Sequence, residues 1–475
     1  MKKQRQVPYY QYIISIICTA IIVGGGSFIL FRSVLQSYIV NQPSEEENLR
    51  EVSQLYNSIL EDYVGKVDKE ELVEGALKGM MESLDDPYSS YLGKEESTAL
   101  EEEVSGSFEG IGATLGLEDD ILTVMQAPIE GSPAEKAGLK MEDQILKIDG
   151  DATEGATLSE SVSKIRGEKG SDVRLEILRG EATFELTITR DTIPLTTVSA
   201  ALDEMDKTIG NIRISSFGGK TFEELKTAVK DLRKEGAVSF IIDLRQNPGG
   251  LLDQVEKMSS MFLKDGQTIV QFEDKAGNII ESKASSELDD GFKVEEPVVV
   301  LVDGGSASAS EIFAAALKES GKVKVIGTKT FGKGTVQTVK GVGQETSLKL
   351  SILKWLTPEG NWIHEKGLAP TIEADFPEYA YLAPISRSSI LRQGDQSEIV
   401  ANLNKMLKAL DFDVDETADF NEKTKQAVES IQTDQALPVS GEVDETTAEQ
   451  IEGLLKVKIQ NNDGAYNTAI EQLQK

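Results

Sequence analysis

PVVVLVDGGSASASEIFAAAL, from Pro297 to Leu317, is the stretch whose reading decides the fold of this chain. Its first part is an unbroken apolar, β-branched run ending at Val302, the pattern of a strand covered on both faces. Asp303, Gly304 and Gly305 then break the run as a turn. Ser308 and Glu311 follow with capping-box spacing, just ahead of the helix-forming IFAAAL. Strand, turn and helix in this order make half of a β–α unit. The neighbouring sequence repeats the alternation. NIRISSF (211–217) reads as a strand, FEELKTAVKDLRKEG (222–236) as an amphipathic helix, and VSFIIDLR (238–245) as a buried strand. Residues 193–380 are therefore expected to form a layered α/β domain.

The same stretch poses a chemical question, because Ser306, Ser308 and Ser310 alternate with alanines. A Ser-His-Asp triad needs an imidazole beside the serine. The chain has one histidine, His364, in GNWIHEKGLAP. Beside a strand-like WI and a turn it reads as a structural residue. Lysine is the other base available to a serine. Its ordinary pKa is about 10.4, so it serves only when burial away from anions destabilises the ammonium. TKTFGKGTVQTVKG (328–341) sets Lys333 between two glycines, with no acid from Glu319 to Glu345. If that segment is extended, Gln337 shares the face of Lys333 and would hold its amine without adding charge. Ser308 leads the three serines, since a helix N-terminus offers free N–H groups to a developing oxyanion. The residues alone leave Ser306 and Ser310 open.

Bulk composition narrows the function classes. A chain of 475 residues suits three or four domains. Its net charge of -32, from 49 basic and 81 acidic residues, argues against a nucleic-acid partner and against bulk attraction to anionic lipid. The one cysteine, Cys18, excludes an intramolecular disulfide and any cysteine–histidine metal cluster. Residues 12–31 are uncharged and long enough to span a bilayer. Lys2, Lys3 and Arg5 precede them, so residues 1–11 are expected in the cytoplasm and the remainder outside. A cleaved signal peptide is the alternative, although its apolar region is usually shorter. Residues 44–100 read as helical. Leu49, Val52, Leu55, Tyr56, Ile59 and Tyr63 form one stripe, Asp68 and Glu71 open a second helix, and the DDPYSS turn closes it. Both dimer arms and packing on the same chain fit this pattern.

Residues 104–192 carry short alternating runs separated by glycines, as in a small β-rich module. One short helix sits inside, capped by Ser132, begun by Pro133 and stopped by Gly138. GIGATL (110–115), GSPAEKAGLKMEDQILKIDG (131–150) and KIRGEKG (164–170) together resemble a PDZ domain. The resemblance implies that backbone N–H groups of Gly110, Ile111 and Gly112 receive a peptide's terminal carboxylate while the peptide pairs as an extra strand. Met141-Glu142-Asp143-Gln144 departs from the usual glycine–aspartate opening. Residues 379–396 read as a linker. Residues 397–456 resemble the small three-helix peptidoglycan-binding domain through IVANLNKMLKALDF, FNEKTKQAVESIQ and LPVSGEVDETTAEQI. This copy is strongly acidic, so cell-wall contact and a purely structural role both stand.

SASASEIFAAAL, followed 25 residues after its middle serine by the lysine of FGKG, resembles the carboxy-terminal processing (tail-specific) proteases of the Bacillus type. IDLRQNPGGLLDQV (242–255) and GNWIHEKGLAPTI (360–372) belong to the same pattern. The resemblance implies Ser308 as nucleophile, Lys333 as base and Gln337 as its orienting partner. It also implies an oxyanion hole from the backbone N–H of Ala309 and of Gly249 or Gly250. It suggests that the PDZ domain gates the site, with Arg166 a candidate coupling residue or an ordinary surface arginine. The expected molecule is an α/β multidomain protein. It has an α/β protease core with an inserted PDZ β-domain, N-terminal helices, a C-terminal helical module and one N-terminal transmembrane helix. Its expected activity is endoproteolysis of proteins with a free carboxyl end, outside the membrane, without metal or organic cofactor, as a homodimer. Sporulation signalling would suit a Bacillus-type member. The rival readings are a non-catalytic PDZ scaffold and a wall-binding adaptor.

Overall fold

The computed structural model describes residues 45–118, 120–343 and 346–475. The expected tail and membrane span, residues 1–31, lie outside them. Among the described residues no helix is long and apolar enough to cross a membrane. The chain divides into two units, residues 45–85 and 86–475.

The first unit holds two helices, Glu45–Asp62 and Lys69–Glu82. Asp68 caps the second, its Oδ1 accepting from the N–H groups of Glu70 at 2.9 Å and Glu71 at 3.2 Å. Leu49, Val52, Leu55 and Tyr63 of the expected stripe are exposed.

The second unit begins earlier than the sequence suggests. The helical reading of 44–100 ends too late, because residues 86–105 contribute a strand, Ser90–Leu92, and then the helix Lys94–Ser105. The strand pairs with Ser347–Leu356, so it belongs to the α/β core. The main sheet of that core orders its strands Val198–Leu202, Ile209–Ile214, Ser239–Asp243, Val298–Val302, Lys324–Gly327 and Ile372–Glu373. The first pair is antiparallel and the rest are parallel. The apolar runs are continuous because both faces are covered. Ile212, Phe240, Ile242, Val300 and Val302 face the layer containing helices Thr221–Glu235, Leu252–Phe262 and Ala309–Ala315. Their alternates Ile209, Ile241, Val299 and Leu301 pack with Ala465 and Ala469 of the C-terminal helix Gly464–Leu473. A second, antiparallel sheet joins Ser90–Leu92, Thr335–Gly341, Ser347–Leu356, Thr268–Glu273 and Ile279–Lys283.

The PDZ-like module is an insertion with a visible stem. Its flanking strands Ser107–Gly110 and Asp191–Pro194 pair with each other. Between them lies a sheet of Leu115–Glu118, Ile121–Val124, Gln144–Ile148, Asp172–Arg179 and Ala182–Thr189, with Asp151–Ala152 on one strand. The short helix starts and stops as its residues dictate. Ser132 Oγ accepts from Glu135 N, Pro133 opens the helix, and Gly138 ends it at φ +83°.

Helices Glu398–Ala409, Glu422–Asp434 and Glu445–Asn461 form the C-terminal module around Leu403, Leu407, Val428 and Ile451. The segment read as a linker is part of it. Ile385 and Leu391 are buried there, and Leu391 bridges to Val443. The chain then returns to the main sheet of the α/β core through the final helix, which the sequence reading did not anticipate.

Candidate active site

The flanking serines are structural. Ser306 Oγ donates to Leu244 O at 2.8 Å and accepts from Asp303 N at 3.0 Å. Ser310 Oγ donates to Asn247 O at 2.9 Å, and both residues are fully buried. Ser308 differs. It is half-buried, stands at the N-cap of helix Ala309–Ala315, and its side chain makes no cap hydrogen bond. Its φ of +55° and ψ of -114° lie in a sparsely populated region, a conformation that costs on the order of 1–3 kcal/mol and is usually retained for function.

Glu311, read from the sequence only as a cap, joins the two halves of the site. It is fully buried. Its Oε2 accepts from Ser308 N at 2.8 Å and from Lys333 N at 2.9 Å. Its Oε1 accepts from Thr330 Oγ1 at 2.5 Å and Gly332 N at 2.7 Å. The backbones of Ser308 and Lys333 therefore lie within two hydrogen-bond lengths of each other. The capping-box spacing was the only signal for this carboxylate, and it could not reveal the second set of donors.

Lys333 lies in the irregular segment Phe331–Gly334, not in a strand, and the strand begins at Thr335. Its Nζ sits 5.0 Å from the ring centroid of Tyr88. Burial lowers the Lys333 ammonium from the ordinary lysine value, and Lys349 adds to the effect. The carboxylates of Asp86, Glu103 and Glu311 oppose it. The sequence window around Lys333 was free of acids, yet the fold brings these three near it. Gln337 Nε2 donates to Thr335 Oγ1 at 2.9 Å and Ser351 Oγ at 3.1 Å. Strand pairing shifts register between Val336 and Gln337. Among the described residues, no hydrogen bond joins Ser308 Oγ to Lys333 Nζ, or Lys333 Nζ to Gln337.

The NPGG turn closes against Ser308. A Cβ on Gly249, at φ +109°, would meet Ala307 O at 2.8 Å and Ser308 Cβ at 2.9 Å. A Cβ on Gly250, at φ +146°, would meet Phe217 O at 2.4 Å. Gly249 N is committed to Asn247 Oδ1 at 2.9 Å. The N–H groups of Gly250 and Ala309 make no hydrogen bond among the described residues.

Residues 208–374 match peptidase family S41. Residues 31–96 match the N-terminal domain of the activating protease CtpB, 110–189 a PDZ domain, and 396–451 a putative peptidoglycan binding domain. The carboxy-terminal processing protease CtpA of Bacillus subtilis is 40% identical over the whole of both chains. The chain belongs to the carboxy-terminal processing proteases. CtpB of the same organism is 39% identical, covering 90% of this chain and 89% of its own. A probable CtpA-like serine protease of Staphylococcus aureus is 34% identical, covering 98% and 93%. Among solved structures, the photosystem II D1 C-terminal processing protease is 28% identical over 67% of this chain and 86% of its own, with a TM-score of 0.39.

This processing protease is a serine-type endopeptidase with a PDZ domain. In that domain, Ile111 is a core residue rather than a surface one. The carbonyls of Ile111 and Gly112 accept from Ala134 N at 2.8 Å and Ile129 N at 3.0 Å. Their own N–H groups make no hydrogen bond among the described residues, which suits a carboxylate-binding loop. Gly112, at φ +79°, admits no side chain, since a Cβ would lie 2.5 Å from Ser132 Cβ. Gly110 ends the stem strand. Arg166 ends helix Leu158–Ile165 and is not a free surface arginine. Its Nη1 donates to both Glu102 oxygens at 2.8 Å, and its guanidinium lies 4.9 Å from the Phe108 centroid. The departure at Met141–Gln144 keeps its aspartate, because buried Asp143 accepts from Arg179 Nε at 2.6 Å and Nη2 at 2.7 Å.

Proposed function

We propose that the chain is a membrane-anchored endopeptidase using Ser308, Lys333 and Gln337, tethered through residues 12–31 with its catalytic part outside the cytoplasmic membrane. Neutral Lys333 takes the Ser308 proton as Oγ bonds to the scissile carbonyl carbon. The backbone N–H groups of Gly250 and Ala309 hold the oxyanion. The C–N bond breaks as the Lys333 ammonium protonates the departing amine, and water then releases the acyl group from Ser308. Gln337 orients the amine by turning from Ser351 and Thr335. The carboxyl end of the substrate protein pairs at the Ile111–Gly112 loop, and the Arg166–Glu102 contact links that event to the core. The N-terminal helices pair two copies, and the C-terminal module contacts peptidoglycan. Regulatory or quality-control proteolysis, sporulation signalling included, is the setting these features suit.

The observation that carries the reading is the Glu311 carboxylate, which holds the backbones of Ser308 and Lys333 on one oxygen. The test compares wild type with Ser308→Ala and Lys333→Ala on peptides ending in a free acid or an amide. Both variants should lose cleavage, and wild type should favour the acid. Retained cleavage by either variant refutes its assigned role, and equal rates on acid and amide refute end recognition.

A further inference from the structure

The chain has two tryptophans and one histidine, and all three converge on the dipeptide Lys333–Gly334. Trp355 Nε1 donates to Lys333 O at 2.7 Å. Trp362 Nε1 donates to Gly334 O at 2.9 Å, an oxygen that also accepts from Trp355 N at 3.1 Å. Gly334 N donates to His364 Nδ1 at 3.2 Å. With Glu311 on Lys333 N, every backbone polar atom of the dipeptide is bonded. The rings also support one another. Trp362 stacks on His364 at 5.1 Å and 14°, and Tyr88 meets His364 edge-on at 6.1 Å. Tyr88 in turn lies under the Lys333 amine. Gly334 has no room for a side chain, since a Cβ would stand 2.8 Å from both His364 Cβ and Trp362 Nε1.

We infer that Trp355, Trp362 and His364 are positioning residues for the general base, holding the backbone of Lys333 so that its amine enters the site from a covered, rigid loop. This rests on the assignment of Lys333 as base. Indole N–H groups only donate, and an imidazole nitrogen that accepts carries no proton. The cradle therefore supplies two donors to the two carbonyls and one acceptor to the N–H. Exposed Trp362 and part-buried His364 cover the loop as well as bonding to it, so their loss should alter the proton affinity of Lys333. The charged groups acting on that amine are Lys349, Asp86, Glu103 and Glu311.

Four variants of the full chain test the inference: His364→Asn, His364→Phe, Trp362→Phe and Lys333→Ala. Asn keeps an acceptor near the position of Nδ1, whereas Phe keeps a ring without one. His364→Phe and Trp362→Phe should each lose roughly 10-fold or more in kcat, the equivalent of one buried hydrogen bond. KM should change less than about two-fold, because positioning a base acts on the transition state rather than on ground-state binding. The acid limb of the rate profile should shift in Trp362→Phe, and His364→Asn should recover most of the rate. Melting curves identify a variant that fails to fold. Trp362 is 38% exposed, so its Phe variant carries the test if the histidine variants unfold. Wild-type kcat and an unshifted profile in Trp362→Phe, or equal losses in His364→Asn and His364→Phe, would overturn the cradle. If those variants keep activity while Lys333→Ala loses it, the cradle alone is wrong. If Lys333→Ala keeps activity, the base assignment fails first.

Discussion

Replacing Glu311 with glutamine isolates the contact on which the site depends. The side chain keeps its shape but trades one acceptor oxygen for an NH2 group. The wild-type carboxylate takes four hydrogen bonds inside the protein, two on each oxygen. Whichever way the amide turns, one pair of donors faces the NH2. With Oε1 retained toward Thr330 and Gly332, the N–H groups of Ser308 and Lys333 lose their shared acceptor. Each lost charge-assisted bond to a buried group costs roughly 1.5–3 kcal/mol, so the pair costs about 3–6 kcal/mol, less the relief of no longer burying a charge. Part of this appears as lower stability. The rest appears as a Ser308 backbone free to leave its left-handed conformation and a Lys333 loop free to drift. A misplacement of about 1 Å suffices to cost about 100-fold. We expect Glu311→Gln to fold with a melting temperature several degrees lower and to lose at least about 100-fold in kcat, with KM nearly unchanged. The assay is steady-state cleavage of a quenched fluorescent peptide with a free carboxyl end, alongside calorimetry. A variant within about three-fold of wild-type kcat would refute the reasoning and leave Glu311 as an ordinary helix cap.

Activity should rise with pH as Lys333 loses its proton, at values below those of an ordinary lysine, because burial and Lys349 both lower its proton affinity. In Lys349→Ala one of those causes is gone, so the rise should move to higher pH; an unmoved profile would count against Lys333 as the titrating base. Glu142 holds a φ of +69° where the PDZ pattern has glycine, so Glu142→Gly should stabilise that domain by about 1 kcal/mol in a denaturant titration. Removing residues 463–475 would uncover Ile209, Ile241, Val299, Leu301 and Ile326 and break the 2.6 Å pair between Arg245 and Asp463. The loss should be on the order of 5 kcal/mol, read as aggregation or a collapsed melting transition; an active, soluble truncation would show that the final helix is dispensable.

Much of this protein was legible in its amino-acid order because the governing interactions are local. Apolar runs such as Val298–Val302 and Ser239–Asp243 declare buried strands whatever surrounds them. Caps at Ser132 and Asp68, and the stop at Gly138, act within one helical turn. The single histidine and the acid-free window around Lys333 direct the expectation of a base to that lysine, and the family resemblance directs the expectation of a nucleophile to Ser308. Tertiary structure decided what depends on atoms far apart in the chain. It buried Ser306 and Ser310 as hydrogen-bonding struts, and it turned Glu311 from a cap into a shared acceptor for residues 22 positions away. It moved residues 86–105 into the protease core and brought Gly464–Leu473 back to cover the open face of the sheet. The reason is the same in each case. A hydrogen bond or an apolar face records only what one residue needs, and the partner that meets the need is chosen when the chain packs.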